Sequence, residues 1–370
     1  MGLVLMEGNE AVAWGALHAG CRFFAGYPIT PATSVLNTML RFLPPAGGIV
    51  LQGEDEIASM GYCLGASMAG LKAMTATSGP GISLYSEQIS YAIGSEIPLV
   101  IVNVQRLGPS TGSATRGADG DVNFMRWQSS GGLPVIVLAP VDAGDCYTLT
   151  IHAFNLAERF RVPVFLASNK EIGLTRESVD FSALERPAPV ERAAPAEGRP
   201  FLPFEPDPAT GVPYFLPIGG RTLVRQTSST HGRHGYITTD PGEIEAAGRR
   251  MQAKIETHAD EIAFYEAHVE PGAGTLIITY GVTARAARVA RRQLQEAGRP
   301  VSLLILKTLW PAPAGLLKKL AADVERILVV EMNLGQYVWE IERQLRPKKI
   351  DFFGQMNGKL ITPGQIKEAI

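Results

Sequence analysis

Four short stretches hold the residues whose types and spacing suit chemistry: "GYPITPATS" from Gly26, "GEDEIASMGYCLGASMAG" from Gly53, "TATSGPGIS" from Thr75 and "VNVQRLGPSTGSATRGADGDVNF" from Val102. In the first, Pro28 keeps Tyr27 extended and Pro31, with its fixed φ and missing N–H, fits the first turn of a helix. That spacing predicts Thr30 as the N-cap, beside amide donors suited to an anion or a carbonyl oxygen. A well-built cap explains the threonine as well as a function does. In the second stretch, the helix dipole accounts for at least two of Glu54, Asp55 and Glu56, because acidic residues are favoured in a first turn. The helix that follows loses bulk at Gly61, Gly65 and Gly70, at a cost of up to ~1 kcal/mol each. Close approach of another helix and room for a cofactor explain this equally, and a carboxylate beside such a surface suits a buried proton relay.

The third stretch runs a strand into a Gly-Pro-Gly turn, which brings backbone close to a ligand or to the next helix. In the fourth, a strand ends at Arg106 and a long polar loop follows, a pattern typical of functional or mobile segments. A guanidinium fork at a strand's carboxyl end can hold a carboxylate; a surface ion pair is the competing reading. Neither a G-x-x-x-x-G-K-[ST] loop nor a G-x-G-x-x-G turn after a strand occurs, which counts against nucleoside triphosphate and dinucleotide binding. His231 and His234 in "HGRH" lack zinc-site spacing and read as loop or interface residues.

The elements that must position these stretches are legible as alternation. To about residue 170, the predicted strands "CRFFAGY", "GIVLQG", "KAMTATS", "PLVIVNV", "PVIVLA" and "VPVFLAS" alternate with helix-like segments. Such alternation implies parallel crossovers with helices on both faces of a sheet, hence an α/β domain over residues 1–180. Ligands in open parallel sheets bind at the carboxyl ends of the strands, where all four stretches fall. Residues 181–270 form a connection with nine prolines between Pro187 and Pro217, followed by a charged helix from Pro241. Over residues 271–370 four further strands alternate with helices as a second, smaller α/β domain. There Lys and Arg outnumber Asp and Glu by 15 to 8, which solvated helix faces explain more simply than an acidic partner does.

Composition sets the outer limits. With 46% hydrophobic and 19% charged residues the chain is globular, and a net charge of −2 gives no reason to expect nucleic acid or an anionic membrane as partner. No apolar run approaches the ~20 residues of a membrane span, and no signal segment is evident. Cys21, Cys63 and Cys146 form no C-x-x-C pair, so a disulfide scaffold or a self-contained metal site is not indicated and a reducing cytoplasm is expected.

Together the ordered set "GYPITP", "GEDEIASMGYCLGAS", "TATSGPG" and "VNVQR", followed by "THGRHGYITTDP", resembles the α subunit of the 2-oxoacid:ferredoxin oxidoreductases over nearly the whole chain. These thiamine-diphosphate enzymes decarboxylate a 2-oxoacid, form an acyl-CoA and reduce ferredoxin. The resemblance implies a parallel-sheet pyrimidine-binding domain followed by a smaller transketolase C-terminal-like α/β domain. It implies that Glu56 bonds the aminopyrimidine ring of the cofactor, with Glu54 as the fallback. Thr30 would contact the substrate's oxo or carboxylate oxygen, and Arg106 its 1-carboxylate. The cofactor's pyrimidine end would lie on Tyr27, Pro28, Ile29, Glu56, Ser78 and Gly79. Arg116 is a candidate second cation for the distal carboxylate of 2-oxoglutarate, with a solvent-facing role the alternative.

The family's Gly-Asp-Gly diphosphate and Mg²⁺ segment is absent, "DGDVN" at 119–123 being a poor match, and cluster-binding cysteines are absent too. The resemblance therefore implies no metal on this chain, with Mg²⁺ and a [4Fe-4S] cluster on a separate β subunit. A separate γ subunit, a possible ferredoxin-like δ subunit, ferredoxin and coenzyme A complete the expected partners. Branched-chain or aryl 2-oxoacids are the alternative substrates. An E1 β subunit of a 2-oxoacid dehydrogenase is the alternative enzyme, disfavoured by "YPITP", and a scaffold subunit without chemistry is the non-enzyme alternative, disfavoured by Thr30, Glu56 and Arg106.

Overall fold

The computed structural model describes residues 2–198 and 200–370. Its first sheet has the strands β2 (Phe23–Gly26), β3 (Ile49–Gln52), β4 (Ala73–Thr77), β5 (Leu99–Gln105), β6 (Ile136–Leu138) and β7 (Pro163–Asn169), in the spatial order β6-β7-β5-β4-β2-β3 and all parallel. The order places β5, β4, β2 and β3 side by side, so their carboxyl ends form one continuous edge. β5 is buried along its whole length, as a parallel strand covered on both faces must be. Val100, Val102 and Val104 join one hydrophobic cluster, while Leu99 and Ile101 join the other on the opposite face. Each large side chain so buried contributes about 1.5–3 kcal/mol.

Two strands at the periphery carried no clear signal. β1 (Leu3–Glu7) pairs antiparallel with β8 (Arg176–Asp180) in a small separate sheet. The second sheet has five strands, one more than the alternation predicts: β9 (Tyr265–His268) lies antiparallel at its edge, beside β10 (Thr275–Tyr280), β11 (Ser302–Leu306), β13 (Arg326–Glu331) and β14 (Ile350–Gly354). The short β12 (Thr308–Trp310) leaves this sheet and pairs antiparallel with β6, extending the first sheet to seven strands. Both hydrophobic clusters accordingly run through both sheets.

The proline-rich connection is ordered by specific bonds. Arg192 forms a buried ion pair with Glu158 and donates to the carbonyls of Ser67 and Leu71, while the amide of Ile218 donates to Met68. The helix Pro241–Glu256, capped by Asp240, is pinned by a buried cluster in which Glu96 accepts from Arg250 at 2.5 and 2.9 Å and from Lys254 at 2.7 Å. Among the described residues no helix is long and apolar enough to cross a membrane.

Candidate functional site

The loop after β2 carries Tyr27, Pro28, Ile29 and Thr30, all at least partly exposed at the sheet edge. The helix does not begin at Pro31 as the spacing predicts: it spans Thr33–Phe42, with Ala32 as N-cap. The cause is a partner distant in sequence, since Asn9 donates from Nδ2 to the carbonyl of Pro31 at 2.8 Å and to Ser34 Oγ at 2.8 Å. Ala32 N closes a turn onto the carbonyl of Ile29, and the Thr30–Pro31 peptide is cis. Thr30 is thus a loop residue, not a cap, and its own carbonyl points to Arg106.

Arg106 follows the last residue of β5 and is buried. Its Nη1 donates to the carbonyl of Thr30 at 2.6 Å and its Nη2 to that of Thr111 at 2.9 Å, while Nε is buried without a partner among the described residues. Both acceptors are neutral, so the cation is oriented without being neutralised.

After β3, the three acidic residues divide their tasks. Glu54 is exposed, which leaves it poorly suited to replace Glu56. Asp55 caps the helix Glu56–Met68 through a bond from Ala58 N of 2.7 Å, as a first-turn aspartate should. Glu56 is 7% exposed, and its carboxylate lies against the turn after β4.

That turn explains its two glycines. Gly79 has φ +51°, and a Cβ there would come 2.7 Å from Arg106 Nε. A Cβ on Gly81 would come 2.1 Å from Thr77 Oγ1 and 2.8 Å from Glu56 Oε1. The Gly-Pro-Gly sequence therefore makes room for Arg106 on one side and Glu56 on the other. Ser78 Oγ and Thr77 Oγ1 are buried there with no hydrogen-bond partner among the described residues. Orphaned hydroxyls beside a carboxylate and an unneutralised guanidinium describe a polar pocket that a ligand completes.

The glycine pattern of the helix Glu56–Met68 divides as well. Gly65 has open space where a side chain would stand and Gly61 reaches only Gln88, whereas Gly70 lies past the helix end at φ +100° against Pro217. Only Gly61 and Gly65 make the bare face, and around them Ile57, Tyr62 and Leu84 are 45–48% exposed. Arg116 is exposed, with its stem against Gly358, and follows the loop that Leu107 and Ser113 close into a short bridge, its carbonyl accepting from Leu107 N at 2.8 Å.

A group that the motifs missed is bonded to the end of β5. Asp121 is half-buried by residue, yet its carboxyl is enclosed: Oδ2 accepts from Asn103 Nδ2 at 3.0 Å and its amide donates to Gln105 Oε1 at 2.9 Å. Burial raises its pKa to about 6 against the opposing effects of the Asn103 bond and the Arg106 charge. Asp119 is fully buried and raised to about 7 by burial, with Glu331 and Asp121 adding to the rise against a bond from Asn169. The signal available was the "DGDVN" segment itself, which a diphosphate template rejects but which two acids flanking a glycine after a strand's polar loop would justify inspecting.

Known proteins share this sequence pattern and fold. Residues 14–247 match the family model described as pyruvate flavodoxin/ferredoxin oxidoreductase, thiamine diphosphate-binding, and residues 273–366 match pyruvate:ferredoxin oxidoreductase core domain II. A 2-oxoglutarate synthase subunit of Methanocaldococcus jannaschii is 40% identical over the full length of both chains. A ketoisovalerate oxidoreductase subunit of Methanothermobacter thermautotrophicus is 32% identical, covering 100% of this chain and 97% of its own. The solved 2-oxoglutarate:ferredoxin oxidoreductase from Magnetococcus marinus, with 2-oxoglutarate, coenzyme A and succinyl-CoA bound, superposes with a TM-score of 0.94 at 32% identity. The match covers 99% of this chain and 64% of that longer one.

Proposed function

The chain belongs to the pyruvate flavodoxin/ferredoxin oxidoreductase family, and we propose that it is the α subunit of a CoA-dependent 2-oxoacid:ferredoxin oxidoreductase acting on 2-oxoglutarate. The observation that carries this reading is the meeting of Glu56, Thr30 and Arg106 at one sheet edge, spaced by Gly79 and Gly81. Relatives named as 2-oxoglutarate synthase subunits are 37–40% identical and those named for ketoisovalerate 31–32%, which favours the dicarboxylic substrate.

The site fits the pyrimidine end of thiamine diphosphate. Glu56 is the enclosed carboxylate that would bond its ring, the orphaned hydroxyls of Thr77 and Ser78 offer polar partners, and Tyr27, Pro28, Ile29 and Gly79 line the approach. When bound, the cofactor supplies the electron sink that lets the carboxylate carbon of a 2-oxoacid leave as CO₂. Glu56 holds and moves the proton at the ring nitrogen. Its enclosure raises the strength of that contact relative to water. Arg106 orients the substrate's 1-carboxylate with its carbonyl-anchored guanidinium, and the Thr30 hydroxyl contacts the neighbouring oxygen. Arg116 serves as the distal-carboxylate cation.

A β subunit would hold the diphosphate and Mg²⁺ together with a [4Fe-4S] cluster that would supply electron transfer to ferredoxin, and coenzyme A would take up the acyl group. The bare, exposed face around Gly61, Gly65, Ile57 and Tyr62 supports such a partner, because an apolar helix face of this kind needs cover. A separate γ subunit and a ferredoxin-like δ subunit complete the assembly. Three buried free cysteines suit a reducing cytoplasm. The test is reconstitution with the partner subunits and CoA-dependent viologen reduction across 2-oxoglutarate, pyruvate, 2-oxoisovalerate and phenylglyoxylate. The proposal requires 2-oxoglutarate to have the highest kcat/KM; a lead for another acid overturns the substrate.

A further inference from the structure

Three consecutive carbonyls of the loop after β2 each accept a bond from a different part of the chain. That of Ile29 accepts from Ala32 N at 2.8 Å, that of Thr30 from Arg106 Nη1 at 2.6 Å and that of Pro31 from Asn9 Nδ2 at 2.8 Å. The exposed hydroxyl of Thr30 takes no part in these bonds. Asn9 is the second residue of the helix Gly8–His18 and is fully buried. Both hydrogens of its Nδ2 are used, on the Pro31 carbonyl and on Ser34 Oγ at 2.8 Å, while Oδ1 has no partner among the described residues. Because a carbonyl only accepts, Pro31 fixes which end of the amide faces it. Two glycines let the surroundings close on Asn9: a Cβ on Gly173 would come 2.7 Å from its Oδ1, and a Cβ on Gly8 would come 2.4 Å from the Ile172 carbonyl. An orphaned amide oxygen is costly to bury, and asparagine is a poor helix former, so leucine, of nearly the same shape, would serve packing better. What leucine cannot do is donate to Pro31.

We propose that Asn9 is a positioning residue that aims the Thr30 hydroxyl at the substrate oxygen, acting only through the loop that carries it. This rests on the reading of Thr30 as a substrate contact. Pro28 and Pro31 remove two amide donors from the segment, so it cannot brace itself with backbone bonds alone and depends on side chains brought from elsewhere. Of its two side-chain supports, Arg106 also faces the substrate carboxylate. Asn9 is buried away from any ligand, so its hold on Pro31 is the same whether or not substrate is bound. The hydroxyl is therefore aimed before the 2-oxoacid arrives, and no ordering of the loop opposes binding. The consequence is a ceiling: removing Asn9 loses no more than removing the hydroxyl it aims.

The experiment is a double-mutant cycle in the reconstituted complex, with kcat/KM for the 2-oxoacid as the readout. Asn9→Leu keeps the shape of the side chain and removes both donors. It lowers kcat/KM about three- to tenfold, no further than Thr30→Val does. With Thr30→Val already in place, adding Asn9→Leu changes kcat/KM by less than about twofold. A residue that only supports the fold lowers both backgrounds by the same factor, and that outcome overturns the proposal, as does an unaltered kcat/KM in Asn9→Leu. Should Asn9→Leu fail to assemble, Asn9→Asp, which offers Pro31 an acceptor where it needs a donor, must show the same dependence on Thr30. If neither variant assembles, Asn9 serves folding alone and the proposal falls. Thr30→Val separates the two levels: if it leaves kcat/KM unchanged the reading of Thr30 fails, whereas a lowered value beside losses that multiply sinks only the inference.

Discussion

Arg106 donates from Nη1 to the carbonyl oxygen of Thr30 at 2.6 Å, across 76 residues of sequence. The bond ties the end of β5 to the loop after β2, although β4 lies between those strands. It uses the backbone of Thr30 and leaves the threonine hydroxyl outside the contact, so anchoring the arginine and meeting a ligand are separate tasks of one residue. Lysine cannot make both carbonyl bonds and still present a planar fork. Arg106→Lys is therefore expected to raise KM for the 2-oxoacid by roughly 10- to 100-fold, the scale of a lost charge-assisted bond, while Thr30→Val keeps the Arg106 anchor and lowers kcat/KM about tenfold. Steady-state kinetics on the reconstituted complex reads both. Equal KM in Arg106→Lys and the unmodified chain would remove Arg106 from the substrate site.

Glu56 is enclosed at the start of its helix, and Asp55 rather than Glu56 does the capping. Replacing Glu56 by Gln should thus leave helix and fold intact while removing the proton carrier. Turnover is expected to fall about 10²- to 10⁴-fold, with thermal unfolding of the isolated chain unmoved. Turnover at the unmodified level would revive the view of this chain as a scaffold.

The two turn glycines yield a steric prediction. Gly81→Ala drives a methyl group into Thr77 Oγ1 and Glu56 Oε1, and Gly79→Ala adds left-handed strain to a clash with Arg106. Gly81→Ala should mimic Glu56→Gln in kcat, whereas Gly79→Ala should mimic Arg106→Lys in KM. The split is the informative readout, because general misfolding would lower both parameters in both variants.

Much of this was legible because it is local. Parallel strands buried on both faces are continuous apolar runs, so β2 to β7 stand where alternation puts them, and the carboxyl-end rule then brings Thr30, Glu56, Gly79 and Arg106 to one edge. What escaped depends on long-range partners. The helix after Thr30 starts late because Asn9 takes the Pro31 carbonyl, and nothing near Pro31 announces that. β12 is three residues long and belongs to a sheet formed some 170 residues earlier, beyond any periodicity. Asp121 went unassigned because its partners, Asn103 and Gln105, are brought to it only by the fold.

The buried charge cluster at Glu96 gives a stability prediction independent of the site. Burial opposes ionisation there, yet the Lys254 and Arg250 charges and the Arg250 bonds prevail, holding the Glu96 carboxyl well below its usual range. A depressed folded-state pKa means that the unfolded chain binds the proton first, so this contribution is complete above about pH 4.5 and is lost as pH falls below it. Glu96→Gln leaves buried Lys254 and part-buried Arg250 without their shared anion, and is expected to cost about 3–5 kcal/mol at neutral pH. Chemical denaturation at neutral and acid pH measures both effects. The gap between Glu96→Gln and the unmodified chain should narrow as pH drops from about 5 toward about 3, because the unmodified chain alone loses this contribution. A constant gap would mean that Glu96 acts through packing and not through its charge.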